Sequence, residues 1–166
     1  MKMKPLIVVG LAMMAATIYA GEKIAPDLSN LDPEWLISAK VLEEDGEKYF
    51  HIEDIGGDIA RVAYPSIPLK GAKKVKVSLK YRTDVAISRL HSGAWYLIGF
   101  SNGSIMTYSG VFFEPQKEWT SVEKVIDVPA DAKSITAELR IQLETPEGEN
   151  TGKFFDAKNI VIELVE

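Results

Sequence analysis

The sequence predicts an all-β fold, a two-sheet antiparallel β-sandwich of the jelly-roll kind. Three observations predict it. Apolar residues alternate with polar ones at period two along several segments, the mark of half-buried strands. Shorter runs rich in aromatic and β-branched residues lie between them. Turn signals separate the segments at the spacing of an all-β domain.

Residues 1–20 stand apart from this pattern. Lys2 and Lys4 form a short basic segment, Leu6 to Ile18 carries no charge, and Ala20 closes the stretch two positions after Ile18. This is the layout of a secretory signal cleaved between Ala20 and Gly21. The apolar stretch is shorter than the ~20 residues that span a bilayer, which favours cleavage over an uncleaved anchor. The expectation is a signal peptide at 1–20, one β-sandwich domain at 21–166, and a secreted or periplasmic protein free of the membrane after cleavage. The chain has no cysteine, so neither a lipid-modified cysteine nor a disulfide is available, and stability must come from packing or a metal.

Residues 21–30 read as a loose lead-in. Asp32-Pro33-Glu34 followed by Leu36, Ala39 and Leu42 fits a helix start with Gly46 as its stop. Strand or irregular structure around Trp35–Ala39 agrees better with the surrounding β pattern. Strands are expected at 48–52, along Val75, Val77, Leu79 and Tyr81, at 94–101, 106–114 and 119–128, along Ile135, Ala137, Leu139, Ile141 and Leu143, and along Ile160, Ile162 and Leu164. Turns are expected at Asp45-Gly46, Gly56-Gly57, Asn102-Gly103, Pro129-Ala130-Asp131 and Pro146-Glu147-Gly148.

Charge excludes some partners. Of 19 Lys and Arg, two lie in the leader, leaving 17 against 24 Asp and Glu, a net charge of −7. Such a chain is poorly suited to a phosphate backbone or an anionic lipid surface, so no nucleic acid partner is expected.

No catalytic constellation stands out. Gly99-Phe100-Ser101-Asn102-Gly103 matches the G-x-S-x-G of serine hydrolases. That chemistry needs a strand-to-helix elbow and a later histidine. Both histidines, His51 and His91, precede Ser101, and Asn102-Gly103 reads as a hairpin turn. Two histidines without cysteine make a catalytic zinc site improbable, and His51 reads as an exposed strand residue. No glycine-rich phosphate loop opens a helix. The protein is expected not to be an enzyme.

The last third carries a resemblance. Trp119 precedes Asp127-Val128-Pro129, then the long alternating strand Ile135–Leu143, then Gly152 and Phe155-Asp156-Ala157 leading into Ile160-Val161-Ile162, with room for an irregularity between Asp156 and Ile160. This order resembles the jelly-roll carbohydrate-binding modules of the cellulose- and xylan-binding type, which share the galactose-binding-like fold. Trp35, the pair of strands around Glu43–Tyr49, and Ile67-Pro68-Leu69 before the lysine-rich strand extend the resemblance over about residues 28–166. The Phe-Glu-x-Gly that often opens such modules is missing.

The resemblance implies a structural calcium with Asp156 as the last-strand ligand and Asp32 or Glu34 as a partner; the alternative is that Asp156 hydrogen-bonds the backbone of a bulge. It also implies a poly- or oligosaccharide ligand on a concave sheet face. Sugars are held by stacking on aromatic rings and by hydrogen bonds to their hydroxyls. The residues expected to do this are Trp95 and Tyr108 for stacking and Arg140 and Gln142 for the hydroxyls, while Trp119 and Trp35 are expected to pack. Arg140 with Glu138 also reads as a solvated surface pair. The other reading of the same sandwich is a non-catalytic domain for protein–protein adhesion or assembly.

Overall fold

The computed structural model describes residues 21–28, 31–54, 60–86, 93–104, 106–142 and 152–166. The expected leader, the Gly56-Gly57 and Pro146-Glu147-Gly148 turns, His91 and Leu143 lie outside them.

Two antiparallel sheets of six strands each form a β-sandwich. The first sheet runs β10 (Gln116–Asp127), β7 (Lys74–Thr83), β12 (Phe154–Val165), β4 (Glu47–Glu53) and β3 (Ala39–Glu44), with β1 (Glu22–Ile24) also on β12. The second runs β2 (Leu36–Ile37), β5 (Ala60–Ala63), β11 (Ser134–Gln142), β8 (Gly93–Ser101) and β9 (Met106–Phe113), with β6 (Ile67–Pro68) also on β11. In each sheet one long strand offers an edge to two short ones. β12 pairs with β4 through its first half and with β1 through its second. β11 pairs with β5 and then with β6 along one edge, and with β8 along the whole of the other.

Local chemistry sets the corners. Asp45 and Gly46 both take positive φ, 53° and 79°, in the two-residue turn between β3 and β4, as a twisted hairpin requires. Between β8 and β9 the Asn102 carboxamide oxygen accepts from Ser104 N (2.9 Å) and the Ser101 hydroxyl accepts from Gly103 N (3.0 Å). No long helix forms after Asp32. Its carboxylate accepts from Glu34 N (3.0 Å) and caps one 3-10 turn, Pro33–Trp35, after which the chain is extended. The N-cap signal was real, but the apolar residues that follow are needed in strands.

Along β7 and β11 the alternation read from sequence is the alternation of burial, while on β8 the outward Leu97 is buried as well. Val75, Val77, Leu79 and Tyr81 of β7 face inward, as do Ala94, Tyr96, Ile98 and Phe100 of β8 and Ile135, Ala137, Leu139 and Ile141 of β11. Strand β12 changes phase once. Phe155 and Ala157 are buried, then Ile160, Ile162 and Leu164. The extra residue is absorbed at a register shift between Lys158 and Val161, where Asn159 takes φ 54°, a left-handed conformation that asparagine tolerates.

Phe113, from the second sheet, joins the two layers. Its ring lies 4.5 Å from Tyr81 and 5.0 Å from Phe155, both of the first sheet, and it is 1% exposed. Aromatic pairs at such distances add to the area they bury. Replacing Phe113 with Ala is expected to cost about 3–5 kcal/mol, read by urea unfolding as a lower midpoint with an unchanged slope.

Candidate functional site on the outer face of the second sheet

Because β8 buries its even-numbered positions, its odd-numbered ones stand on the outer face. Strand pairing places them in cross-strand rows. Arg61, Arg140, Trp95 and Phe112 form one row across β5, β11, β8 and β9. Ala63, Glu138, Leu97 and Gly110 form the next, then Thr136, Gly99 and Tyr108, then Ser134, Ser101 and Met106.

Aromatic rings dominate the β8–β9 side of this face. Trp95 and Phe112 stack with centroids 4.9 Å apart and planes 9° from parallel. The Arg140 guanidinium, coming from the opposite neighbour strand, lies 4.5 Å from the Trp95 ring centroid. Trp95 is thus flanked from both adjacent strands, and its indole N–H is buried without a hydrogen-bond partner. Tyr108 is different: it is 64% exposed, and Phe112 (37%) and Met106 (38%) are also exposed.

Two glycines allow this packing. A Cβ at Gly99 would lie 2.7 Å from Thr136 Oγ1, 2.8 Å from Met106 Cε and 3.2 Å from Tyr108 Cε1. A Cβ at Gly110 would lie 3.0 Å from Trp95 Cε3. The Tyr108 and Trp95 rings therefore lean over bare backbone, which a larger residue at either site would block.

Charge collects on the β5–β11 side. Glu138 stands 3.5 Å from both Arg61 and Arg140. Burial lowers the Arg140 pKa from its ordinary value, and Glu138 opposes that shift; the guanidinium stays charged at any pH of interest. The face can offer aromatic surface beside cationic donors and a carboxylate acceptor, in side chains held by packing on neighbouring strands.

Three of the four residues expected at a ligand face, Trp95, Tyr108 and Arg140, meet here. Gln142 lies two residues beyond Arg140 on β11, opposite Gly93. Sequence reasoning missed Phe112 and Arg61. Phe112 was within reach, since it shares the alternation of Met106, Tyr108 and Gly110 on β9. Arg61 required the β5–β11 pairing. Ser101 ends β8 and the chain turns into β9, so the G-x-S-x-G match forms a hairpin and not a strand-to-helix elbow.

Asp156 lies on the other side of the sandwich, on the outer face of the first sheet, in a row with His51 and Arg82. It is 2% exposed. His51 Nδ1 lies 2.6 Å from Asp156 Oδ1, and Arg82 Nε donates to Oδ2 at 2.8 Å. Both carboxylate oxygens are thus engaged by nitrogen donors, one of them a permanent cation. A hard divalent cation wants several oxygens, and no cluster of three or more metal-ligating side chains occurs among the described residues. These surroundings do not fit a calcium ligand. His51, expected to be exposed, has a side chain only 18% exposed; the buried carboxylate beside it draws it in.

The network continues outward. Arg82 also donates to Glu44 (3.0 Å) and lies 4.5 Å from the Trp119 ring centroid; the Trp119 indole donates to Glu44 at 2.9 Å. Lys158 lies 4.3 Å from the Trp119 ring centroid and donates to Glu47. Trp119 is a packing residue, with Tyr49 edge-on at 5.5 Å. The hydrogen bond from Trp119, followed by that from Arg82, lowers the Glu44 pKa below its ordinary 4.5, and the hydrogen bond from Lys158 lowers that of Glu47.

No family model and no curated protein matches the chain. Among solved structures, the enzymatically active domain of bacteriophage CBA120 tailspike protein 4 is similar with a TM-score of 0.53 at 10% identity, over 76% of this chain and 18% of that one. The chain therefore spans less than a fifth of that tailspike. A CBM4 structure is similar with a TM-score of 0.49 at 19% identity, over 86% of this chain and 94% of that one. TmCBM61 in complex with β-1,4-galactotriose is similar with a TM-score of 0.47 at 14% identity, over 75% and 81%. The likeness to the tailspike domain, at 10% identity, is one of fold.

Two outcomes follow for the first sheet. Asp156→Ala, which strips a buried partner from Arg82 and His51, is expected to cost about 3–5 kcal/mol in chemical denaturation, while EDTA leaves the thermal midpoint of the parent protein unchanged. Glu44 and Glu47 have folded-state pKa values below 4.5, so their contribution is present above the unfolded value and is lost as pH falls through the folded one. The thermal midpoint should drop as pH is lowered through this range, and Glu44→Gln should flatten that drop.

Proposed function

We propose that this protein is a non-catalytic carbohydrate-binding module and that the outer face of the second sheet holds its poly- or oligosaccharide ligand. The observation that carries the reading is the row of exposed rings on β9 beside a charged group on β11 and β5. Tyr108 is 64% exposed and Phe112 37%, and Arg61, Glu138 and Arg140 lie at the same face. Exposed large aromatics are costly to leave in water and are the surface against which the C–H face of a sugar packs. A guanidinium and a carboxylate together offer donors and acceptors to neighbouring hydroxyls.

This assigns the residues different tasks. Tyr108 and the outer side of Phe112 are the stacking surfaces. Trp95, flanked by Arg140 and Phe112, supports these two and is a positioning residue. Arg140 and Arg61 donate, Glu138 accepts, and Gln142 is the next position along the same strand. The expected export leader would bring such a module to the compartment where polysaccharide is met.

The test is a glycan array with affinity-gel electrophoresis on polysaccharides, using residues 21–166. One polysaccharide class is expected to bind. Tyr108→Ala should weaken that binding tenfold or more, about 1.4 kcal/mol, without moving the thermal midpoint. Trp95→Ala should weaken it while also lowering the midpoint, because it removes the centre of a packed row. A folded protein that binds no glycan would overturn the reading and turn attention to a protein partner.

A further inference from the structure

Strand β9 ends the second sheet. Along one side it pairs with β8 through all eight of its positions, from Met106 opposite Ser101 to Phe113 opposite Ala94, without a register shift. On its other side no strand lies beside it among the described residues. The backbone N–H and C=O groups directed to that side are a template for another strand.

Folded proteins protect such an edge with charge, proline, a bulge or brevity. The other terminal strands of this sandwich are protected in those ways. β10 carries Lys117, Glu118, Glu123, Lys124 and Asp127, and a register shift between Gln116 and Thr120. β3 carries Lys40, Glu43 and Glu44. β1, β2 and β6 are two or three residues long. β9 has none of these protections. From Gly103 to Phe113 there is no Asp, Glu, Lys, Arg, His or Pro. Met106, Tyr108 and Phe112 are exposed, so large apolar side chains stand along the open edge.

The strand is also complementary to itself. Two copies related by a twofold axis normal to the sheet pair antiparallel, and their outer faces then lie on the same side. Outward residues must oppose outward ones. The longest registers that satisfy this are centred on Ser109 and on Gly110. The first sets Tyr108 of each copy against Gly110 of the other and Met106 against Phe112. The second sets Tyr108 against Phe112. Cross-strand pairs of a ring with a glycine, a thioether or another ring are favourable. Neither register brings like charges together, which matters in a chain of net charge −5, where self-repulsion opposes association. The pairing also closes on itself, because it consumes the unprotected edge of both copies.

We propose that β9 is a self-association edge, through which two copies of this chain pair antiparallel into one continuous sheet. An eight-residue edge is about 27 Å long, the scale of a small, reversible interface and not of an obligate one. The inference stands on the edge and not on the sugar reading. Where that reading also holds, the pair sets two ligand faces side by side.

Sedimentation equilibrium of the purified protein, up to about 1 mM, tests it. The expected result is a reversible equilibrium between one copy and two, with nothing larger. In both registers Ser109 of one copy lies opposite or diagonal to Ser109 of the other. Ser109→Lys and Ser109→Glu should therefore each weaken the pair about tenfold or more, while an equimolar mixture of the two recovers it. Ser121→Lys, on the charged β10 edge, should leave association unchanged. Thermal melts establish that each variant is folded. Amide hydrogen exchange of the parent needs no variant: protection of β9 should rise with protein concentration while that of β10 stays constant. Four outcomes overturn the proposal. They are a single copy at every concentration, growth beyond two copies, a pair that survives both Ser109 variants in folded form, and concentration-dependent protection at β10 in place of β9.

Discussion

Burial of two inner sheet faces against each other is the interaction on which the rest of this protein depends. There is no disulfide to share the task. Phe113 reaches across from the second sheet to Tyr81 and Phe155 of the first, and Phe50, Ile52, Tyr96 and Leu139 close around the same layer. Because side chains alternate strictly along a strand, fixing which residues point inward also fixes which point outward. A slip of one residue would exchange the two sets. The outer faces are therefore as fully specified as the core, although they contribute less to stability.

The two outer faces are put to different use. On the first sheet, polar groups satisfy one another: Asp156 holds His51 and Arg82, Arg82 and Trp119 share Glu44, and Lys158 holds Glu47. Such a network has little left to offer a ligand and is better understood as a brace across β3, β4, β12, β7 and β10. On the second sheet, charge is gathered at β5 and β11 and aromatic surface at β8 and β9. Gly99 and Gly110 lower the backbone beneath the rings, at some expense in strand stability. This sheet gives up side chains at two positions and leaves Tyr108 in water.

The sides of the sandwich carry a third kind of surface. Where short strands share the edge of a long one, at β1 on β12 and β6 on β11, the layers do not close as tightly as at the centre. A cavity lined by Ile24, Ile67, Trp35, Tyr64 and Tyr96 sits at that place. The Tyr64 and Tyr96 hydroxyls are buried there without a hydrogen-bond partner, as is the Trp95 indole N–H on the outer face, whereas Thr83 and Asp156 are bonded.

The sequence alone determined the fold class, most strand positions and which face of each strand is buried, because period-two alternation is a local property that packing of one face imposes directly. It also put Trp95 and Arg140 at outward positions of their strands, since position within a strand suffices for that, and it marked the irregularity that became the bulge at Asn159. Tertiary structure alone decided which strands are neighbours. That pairing set Phe112 and Arg140 on either side of Trp95, left Tyr108 the more exposed ring, and brought Arg61 to Glu138. It also put His51 and Arg82 beside Asp156, so that a carboxylate suited by type to calcium is neutralised by nitrogen donors. Each of those contacts joins residues distant in sequence through a register that the linear order does not encode, and a side chain's chemistry follows from its neighbours as much as from its own atoms.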